Sequence, residues 1–460
     1  MNGDGAFDES ALGNRSAGVL LHPTSLPGPG ANGRLDASAY RFVDWLAAAG
    51  FRYWQMLPVG PVDEADCPYQ PPSTCAGGTH LLDPSDCPEP SDEALNAFVE
   101  VESDWLEDWA LFAALRREIG RPWPEWPVGV RERAVDALAD ARAELAGAIH
   151  AEKVAQWQFA RQWRRLRAYA HERGVGLFGD VPIYCALDSA DVWAEPHLFA
   201  VAADGTVTGE AGVPPDAFSD TGQHWGQPLH DWAAHAADGW RWWCRRLRVQ
   251  AGCFDLVRID HFRGFAAAWS IPAGAADARE GRWITGPGRE PFDAIRAQLG
   301  HLPLVAEDLG VITDDVHALR DALGLPGMRV LQFAFDDGPE NPHRPHNHPE
   351  WCVAYTGTHD NDTTLGWWRS LDEAARDTVR SVLETTGETM PAPLIDAALA
   401  SRARLAIIPL QDLLALGNEA RMNVPGRRHG NWVWRFEADD FTRSDTTQWR
   451  ARLARFGRVD

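Results

Sequence analysis

Apolar residues along the chain gather into short, continuous, β-branched runs bounded by turn residues, with helically spaced stretches between them. Eight such runs stand out: AGVLLHPTSL from 17, YWQMLPVGP from 53, GVGLFGDVPI from 174, FDLVRIDHF from 254, LPLVAEDLG from 302, MRVLQFAFD from 328, CVAYTGTHD from 352 and LAIIPLQDLL from 405. Continuous rather than alternating apolar character predicts strands covered on both faces, as in a parallel sheet. Helical periodicity appears at ASAYRFVDWLAAAG (37–50), ITDDVHALRDALG (312–324) and DEAARDTVRSVLETTG (372–387). Eight strand–helix units are the arithmetic of an α/β fold of the (β/α)8 TIM-barrel type.

Polar residues sharpen that expectation. Nearly every run ends in one: His22, Asp180, Asp260, Glu307, Gln332, His359 with Asp360, and Gln411 with Asp412. In a TIM barrel the C-terminal strand ends converge on one mouth, which is where active sites form. Arg258 and Asp260 lie two apart on one run and so share a face, entering that mouth together. Two spacers exceed a simple connection. Residues 61–173 carry helical segments such as DWLEDWALFAALRREIG, and 185–250 carry the Gly/Pro-rich TGEAGVPPDAFSDTGQHWGQPLHDW. Long insertions at a barrel mouth shape a cleft or lid. The chain thus reads as a single catalytic barrel domain over 1–460, with a helical insertion at 61–173 and a cleft-and-lid insertion at 185–250.

The net charge of −23 over 460 residues repels polyanions, which argues against nucleic acid or an anionic membrane as partner and favours a neutral substrate. The seven cysteines are scattered without a C-x-x-C, a pattern of reduced thiols in a cytoplasmic protein. Neither Cys67, Cys75 and Cys87 nor the HRPHNHP stretch (His343, His346, His348) has the spacing of a zinc site. No run reaches membrane-spanning length.

Asp260, Glu307 and Asp360 end the fourth, fifth and seventh runs. Carboxylates paired across a cleft are the tools of glycoside chemistry, one at the anomeric carbon and one protonating the leaving oxygen. Arg258 is expected to favour the ionised form of Asp260, and Asp360 to raise the pKa of Glu307. Glu307 and Asp308 are adjacent, so only one is expected to reach the mouth. The competing reading is a rim of salt bridges and loop caps. Among the 22 tryptophans, Trp225 and Trp283 lie in Gly-rich loops and are the candidates for stacking on sugar.

A dozen blocks, including LLHPTSLPGPG, PYQPPS, DSADVWAEP, GVPPDAFSDTGQHWGQPL, LVRIDHFRGF, VAEDLGVIT and YTGTHDNDTTLGWW, resemble in order the 4-α-glucanotransferases (amylomaltases, disproportionating enzymes) of glycoside hydrolase family 77. The resemblance runs from about residue 17 to 436. It implies a barrel without a C-terminal β-domain and retaining double displacement on α-1,4-glucans, with glucose or another glucan as acceptor. It implies Asp260 as nucleophile, Glu307 as acid/base and Asp360 as transition-state stabiliser. Arg258, His359, Asp180, Tyr69, Trp225, Phe218 and Asn423 match substrate-contacting positions, and no metal or organic cofactor is implied. A hydrolytic or acceptor-altered member is the alternative, and a silent glucan-binding protein a more remote one.

The departures cluster. Cys67 stands where the family has serine, and VDEAD precedes it in place of glycines and a tyrosine. Ala217, Gln227 and His230 replace tyrosine, asparagine and tyrosine in the stretch expected to form a lid. Ala268-Trp269-Ser270 replaces Tyr-Trp-Glu, and the segment between Leu82 and Trp105 is short. Groups for bond chemistry are retained, while those expected to hold neighbouring sugars are altered.

Overall fold

The computed structural model describes residues 12–202, 204–215, 219–438 and 445–459. Among them twelve strands form two sheets: β1 (Ser16–Leu20), β2 (Tyr53–Gln55), β3 (Gly176–Pro182), β4 (Gly209–Val213), β5 (Gln223–Pro228), β6 (Leu256–Asp260), β7 (Ala267–Pro272), β8 (Arg282–Thr285), β9 (Leu304–Ala306), β10 (Gly327–Val330), β11 (Cys352–Tyr355) and β12 (Leu405–Pro409). Eight pair in parallel in the order β10-β11-β12-β1-β2-β3-β6-β9, and each lies in one of the eight expected runs. The barrel seam between β9 and β10 is drawn together by Ala306 N–H donating to Pro326 O (2.9 Å). Asp308 reinforces the seam by accepting from Met328 N–H (2.6 Å) and pairing with Arg320 and Arg329. Gly327 is required there, because a Cβ would stand 2.4 Å from the Asp308 carboxylate. Asp308 therefore closes the barrel while its neighbour Glu307 turns to the mouth.

Strand alternation sorts the apolar side chains into two layers. Leu20, Phe178, Leu256, Val305, Met328, Val353, Tyr355, Leu405 and Ile407 form one cluster filling the interior. Ala17, Val19, Leu177, Val257, Ile259, Ala306, Ala406 and Ile408 belong to the outer cluster beneath the helices. The interior is full: a Cβ on Gly18 would meet Ile407 Cδ1 and Tyr53 O at 2.7 Å each. Charge is consequently admitted only at the ends of the barrel. At the N-terminal end, Arg458 is 1% exposed and donates to Leu399 O (2.8 Å), Ser16 O (2.9 Å), Ala403 O (2.8 Å) and Ser401 O (2.9 Å). Arg15 donates to Ser401 O (2.7 Å) and Phe456 O (3.0 Å). Leu399 O and Ser401 O lie at the C-terminal end of helix Ala392–Ala400, where the macrodipole favours a cation.

The helical part of the β2–β3 connection ends in helix Ala146–Glu172, which packs on the barrel through Trp163 against Phe254 (5.4 Å). Its buried amides act as peptide mimics. Gln156 pairs with both the N–H and the C=O of Gly77, and Gln162 does the same for Asp83. The second sheet is antiparallel, in the order β5-β4-β7-β8. The sequence pattern suggested loops at 208–232 and around Trp283, and no strand at 267–285. These strands are short and partly exposed, and β4 and β5 carry glycine, so they lack the apolar runs that betray the barrel strands.

Candidate active site

Register delivers the side chains. Asp180 on β3 is the direct neighbour of Arg258 on β6, and both point inward above the interior cluster. Arg258 Nη1 donates to Asp180 Oδ2 (2.7 Å), and Arg258 Nη2 reaches Asp260 Oδ1 (2.8 Å). Tyr69 donates its hydroxyl to the same Asp180 oxygen (2.8 Å) and stacks on His359 (5.1 Å between centroids, 10° between planes). Ile259 pairs with Ala306, and Glu307 N–H still donates to Ile259 O (3.1 Å), so the ladder carries Glu307 to the level of Asp260. Glu307 accepts from His261 N–H through Oε2 (2.7 Å) and from Leu309 N–H through Oε1 (2.8 Å). Asp360 follows β11; its Oδ1 accepts from Asn423 Nδ2 (2.6 Å), with His359 Nε2 at 3.3 Å. Arg421 grips the same loop through Asp360 O (2.6 Å) and the Asp362 carboxylate.

The exposures grade across the site. The Asp360 side chain is 45% exposed and that of Asp260 27%, whereas Arg258 is 6% and Asp180 1%. Glu307 is buried. The site thus opens between Asp260 and Asp360, over the buried Glu307 carboxyl.

Arg258 does not win the contest for Asp260. Burial pushes that carboxyl up to about 8; Arg258 opposes the rise, while Asp180, Glu307 and Asp360 add to it. Burial also raises Glu307, against Arg258 and the Leu309 and His261 amides; Asp308 adds to the rise. Asp360 thus acts on Asp260, while the largest contributions to Glu307 include Asp308 rather than the expected Asp360. Carboxyls that raise one another in this way lose their protons as a pair. Burial lowers His359, keeping it a neutral ring.

Trp225, on β5, is half-buried and meets His261 edge-to-face (4.8 Å, 88°). Gln70 Nε2 donates to Trp225 O (3.1 Å) and Gln227 Nε2 to Tyr69 O (2.9 Å), so the segments bearing Tyr69 and Trp225 hold each other. Asp260, Glu307, Asp360, Arg258, Asp180, Tyr69, His359, Asn423 and Trp225 are thereby brought into one connected region. Trp283 is not joined to it; it lies on β8, at the edge of the antiparallel sheet opposite β5, under the Arg263 guanidinium (3.9 Å). Phe218 and Ala217 lie outside the described residues. His230 and Ala268 were expected to alter a lid and instead are packing residues. His230 is 5% exposed, bonded to His235 (3.0 Å) and Ile183 O (2.9 Å), and Ala268 is 1% exposed. Asp412, expected at the mouth, is buried and accepts from Thr356, Thr364 Oγ1 and Thr364 N–H. Sequence reasoning passed over His261 and Arg421. Adjacency to Asp260 was the one clue to His261, and nothing in sequence marks Arg421. Gln227, expected in the lid stretch, instead holds the Tyr69 segment by its side-chain amide.

Among the described residues no three His, Cys, Asp or Glu side chains form a metal-holding group. No helix there is long and apolar enough to cross a membrane.

The family model described as 4-alpha-glucanotransferase matches residues 21–90 and 85–440. A 4-alpha-glucanotransferase of Thermus thermophilus is 46% identical, covering 92% of this chain and 94% of that protein. The chloroplastic/amyloplastic 4-alpha-glucanotransferase of Solanum tuberosum is 40% identical, covering 97% of this chain and 87% of its own length. Among solved structures, amylomaltase from Streptococcus agalactiae in complex with acarbose superposes with a TM-score of 0.92 at 32% identity, covering 97% of this chain and 100% of that one.

Proposed function

The chain belongs to the 4-alpha-glucanotransferase family, glycoside hydrolase family 77, and from that premise we propose that it transfers α-1,4-glucan segments between sugar chains by retaining double displacement. Asp260 attacks the anomeric carbon while Glu307 protonates the departing glycosidic oxygen, which leaves a covalent glycosyl–Asp260 intermediate and a shortened glucan. Glu307, now ionised, takes the proton from the 4-OH of an incoming glucose or glucan. The acceptor oxygen then displaces Asp260, restoring the original anomeric configuration and both protonation states. The observation that carries this reading is the juxtaposition of Asp260 and Glu307 on neighbouring strands, both with raised pKa values. Such a pair holds one proton between them, as the first step requires.

Arg258 serves the charged form of Asp260 and buttresses Asp180. Asp360, oriented by Asn423 and flanked by His359, accepts sugar hydroxyls and offsets the positive charge that develops on the ring. Trp225 offers its half-exposed ring as a stacking platform. The helical insertion and the antiparallel sheet form the walls of the glucan cleft.

Incubation with maltotriose alone tests this reading, the products being resolved by chain length. Glucose together with maltopentaose, or maltose with maltotetraose, is the expected outcome. Glucose and maltose without longer chains would mean that water rather than sugar accepts the glycosyl group. An unchanged substrate would sink the proposal.

A further inference from the structure

Immediately after Asp260 the chain enters the left-handed region at His261 (φ 52°, ψ 46°). Glycine, asparagine and histidine accept that conformation better than other residues, and held side chains in it mark functional sites. The turn is closed by Gly264 N–H donating to His261 O (2.9 Å). Two contacts leave His261 in different directions. Its main-chain N–H donates to Glu307 Oε2 (2.7 Å). Its ring stands edge-on to Trp225 (4.8 Å, 88°), with Tyr184 beyond at 6.2 Å. The ring Nε2 has no hydrogen-bond partner among the described residues, so the ring acts by packing. Burial, then Arg263, lowers its pKa to about 3, so the ring is neutral at working pH.

We propose that His261 is a positioning residue that ties the sugar platform to the acid/base group, one left-handed backbone conformation setting both the Trp225 ring and the Glu307 carboxyl. The inference rests on the roles assigned above to Glu307 and Trp225. Arg258 and Asp308 also act on Glu307, and Glu307 in turn acts on Asp260.

Substitution separates the two arms. His261→Gly keeps the left-handed turn and its N–H but deletes the ring. KM for maltotriose then rises several-fold, while kcat and the basic limb of the pH profile stay in place. His261→Val opposes the turn through its β-branch and moves the N–H away from Glu307. Loss of a bond that favours the carboxylate raises the Glu307 pKa, so the basic limb of kcat/KM moves to higher pH and kcat falls about tenfold or more. His261→Asn, which tolerates the turn, keeps the wild-type limb. Identical profiles for the glycine and valine variants would overturn the proposal. So would a shifted limb or an unchanged KM in His261→Gly, which decides the matter even where the valine variant does not fold. Glu307→Gln tests the underlying role by itself. If Glu307 is the acid, activity is lost on maltotriose but retained in the first step with an α-glucosyl fluoride, whose leaving group needs no proton. Equal loss on both would remove the acid role, whatever the His261 variants show.

Discussion

At the floor of the barrel Arg458 and Arg15 are held by main-chain carbonyls, with no carboxylate partner among the described residues. At the mouth one guanidinium, that of Arg258, faces Asp180, Asp260 and Glu307, with Asp360 near enough to act on Asp260. Both ends bury charge, yet the floor satisfies its cations with acceptors that cannot titrate, while the mouth crowds like charges that can. Burial and Arg15 lower Arg458 to about 9, still on the charged side of neutrality. The floor is built for permanence. The mouth is unfavourable for folding and so keeps a mobile proton, a common bargain at active sites.

The largest expected effect separates the two ends outright. Asp260→Asn should lower turnover on the order of 10^4-fold or more, since it removes the proposed nucleophile. It should also leave the fold intact. Because the folded-state pKa of Asp260 is raised to about 8, its favourable contribution is present below about pH 4 and lost as pH rises toward 8. Asparagine cannot lose that proton, so Tm of the variant relative to wild type should climb from pH 5 to pH 8 in calorimetric scans. A constant difference across that range would mean the mouth carries no electrostatic strain.

The converse change is Arg458→Met. It strands several buried carbonyls and should cost about 3–5 kcal/mol in denaturant unfolding, with kcat per folded molecule unchanged. If activity per folded molecule falls in step with stability, the two ends are coupled and the contrast fails.

Smaller effects sharpen the boundary of the mouth. Gln227→Ala removes the donor to Tyr69 O and leaves the Tyr69–His359 stack less well held. One net hydrogen bond is worth about 1 kcal/mol, so KM for maltotriose should rise about fivefold with kcat nearly constant. A fall in kcat alone would instead place Gln227 in the chemical step. Least of all, His230→Tyr should blunt acid sensitivity. Burial lowers His230 well below its ordinary value and takes His235 to about 4. Their stabilisation is complete above the unfolded pKa near 6.5 and is lost as pH falls through the folded values. The wild-type Tm should thus drop more steeply than that of the variant between pH 6.5 and 4.

The barrel was legible because buried parallel strands need continuous apolar runs, and each of the eight runs became a strand. The strand-end carboxylates were legible for a related reason, since a polar residue ending such a run has only the mouth to occupy. Asp412 breaks that rule: Thr356 and Thr364 offer it hydroxyls, so it turns away from the opening. The antiparallel sheet escaped notice because its short, partly exposed strands carry no continuous apolar run. His230 was expected in the lid because it falls in the stretch that resembles the family's lid, whereas distant segments enclose it, with Phe199 at 5.4 Å and Trp242 at 5.4 Å.

Sequence by itself determined the number of barrel strands, the alternation that puts Arg258 beside Asp260, and the split by which Glu307 and Asp308 face opposite ways. These follow from the two-residue period of a strand and need no knowledge of what lies across the barrel. Tertiary structure alone decided that Asp308 seals the β9–β10 seam, that burial overrides Arg258 at Asp260, and that His261 touches both Glu307 and Trp225. Each depends on distances between segments far apart in the chain, where desolvation and Coulomb terms of opposite sign compete. The outcome is set by where the barrel closes.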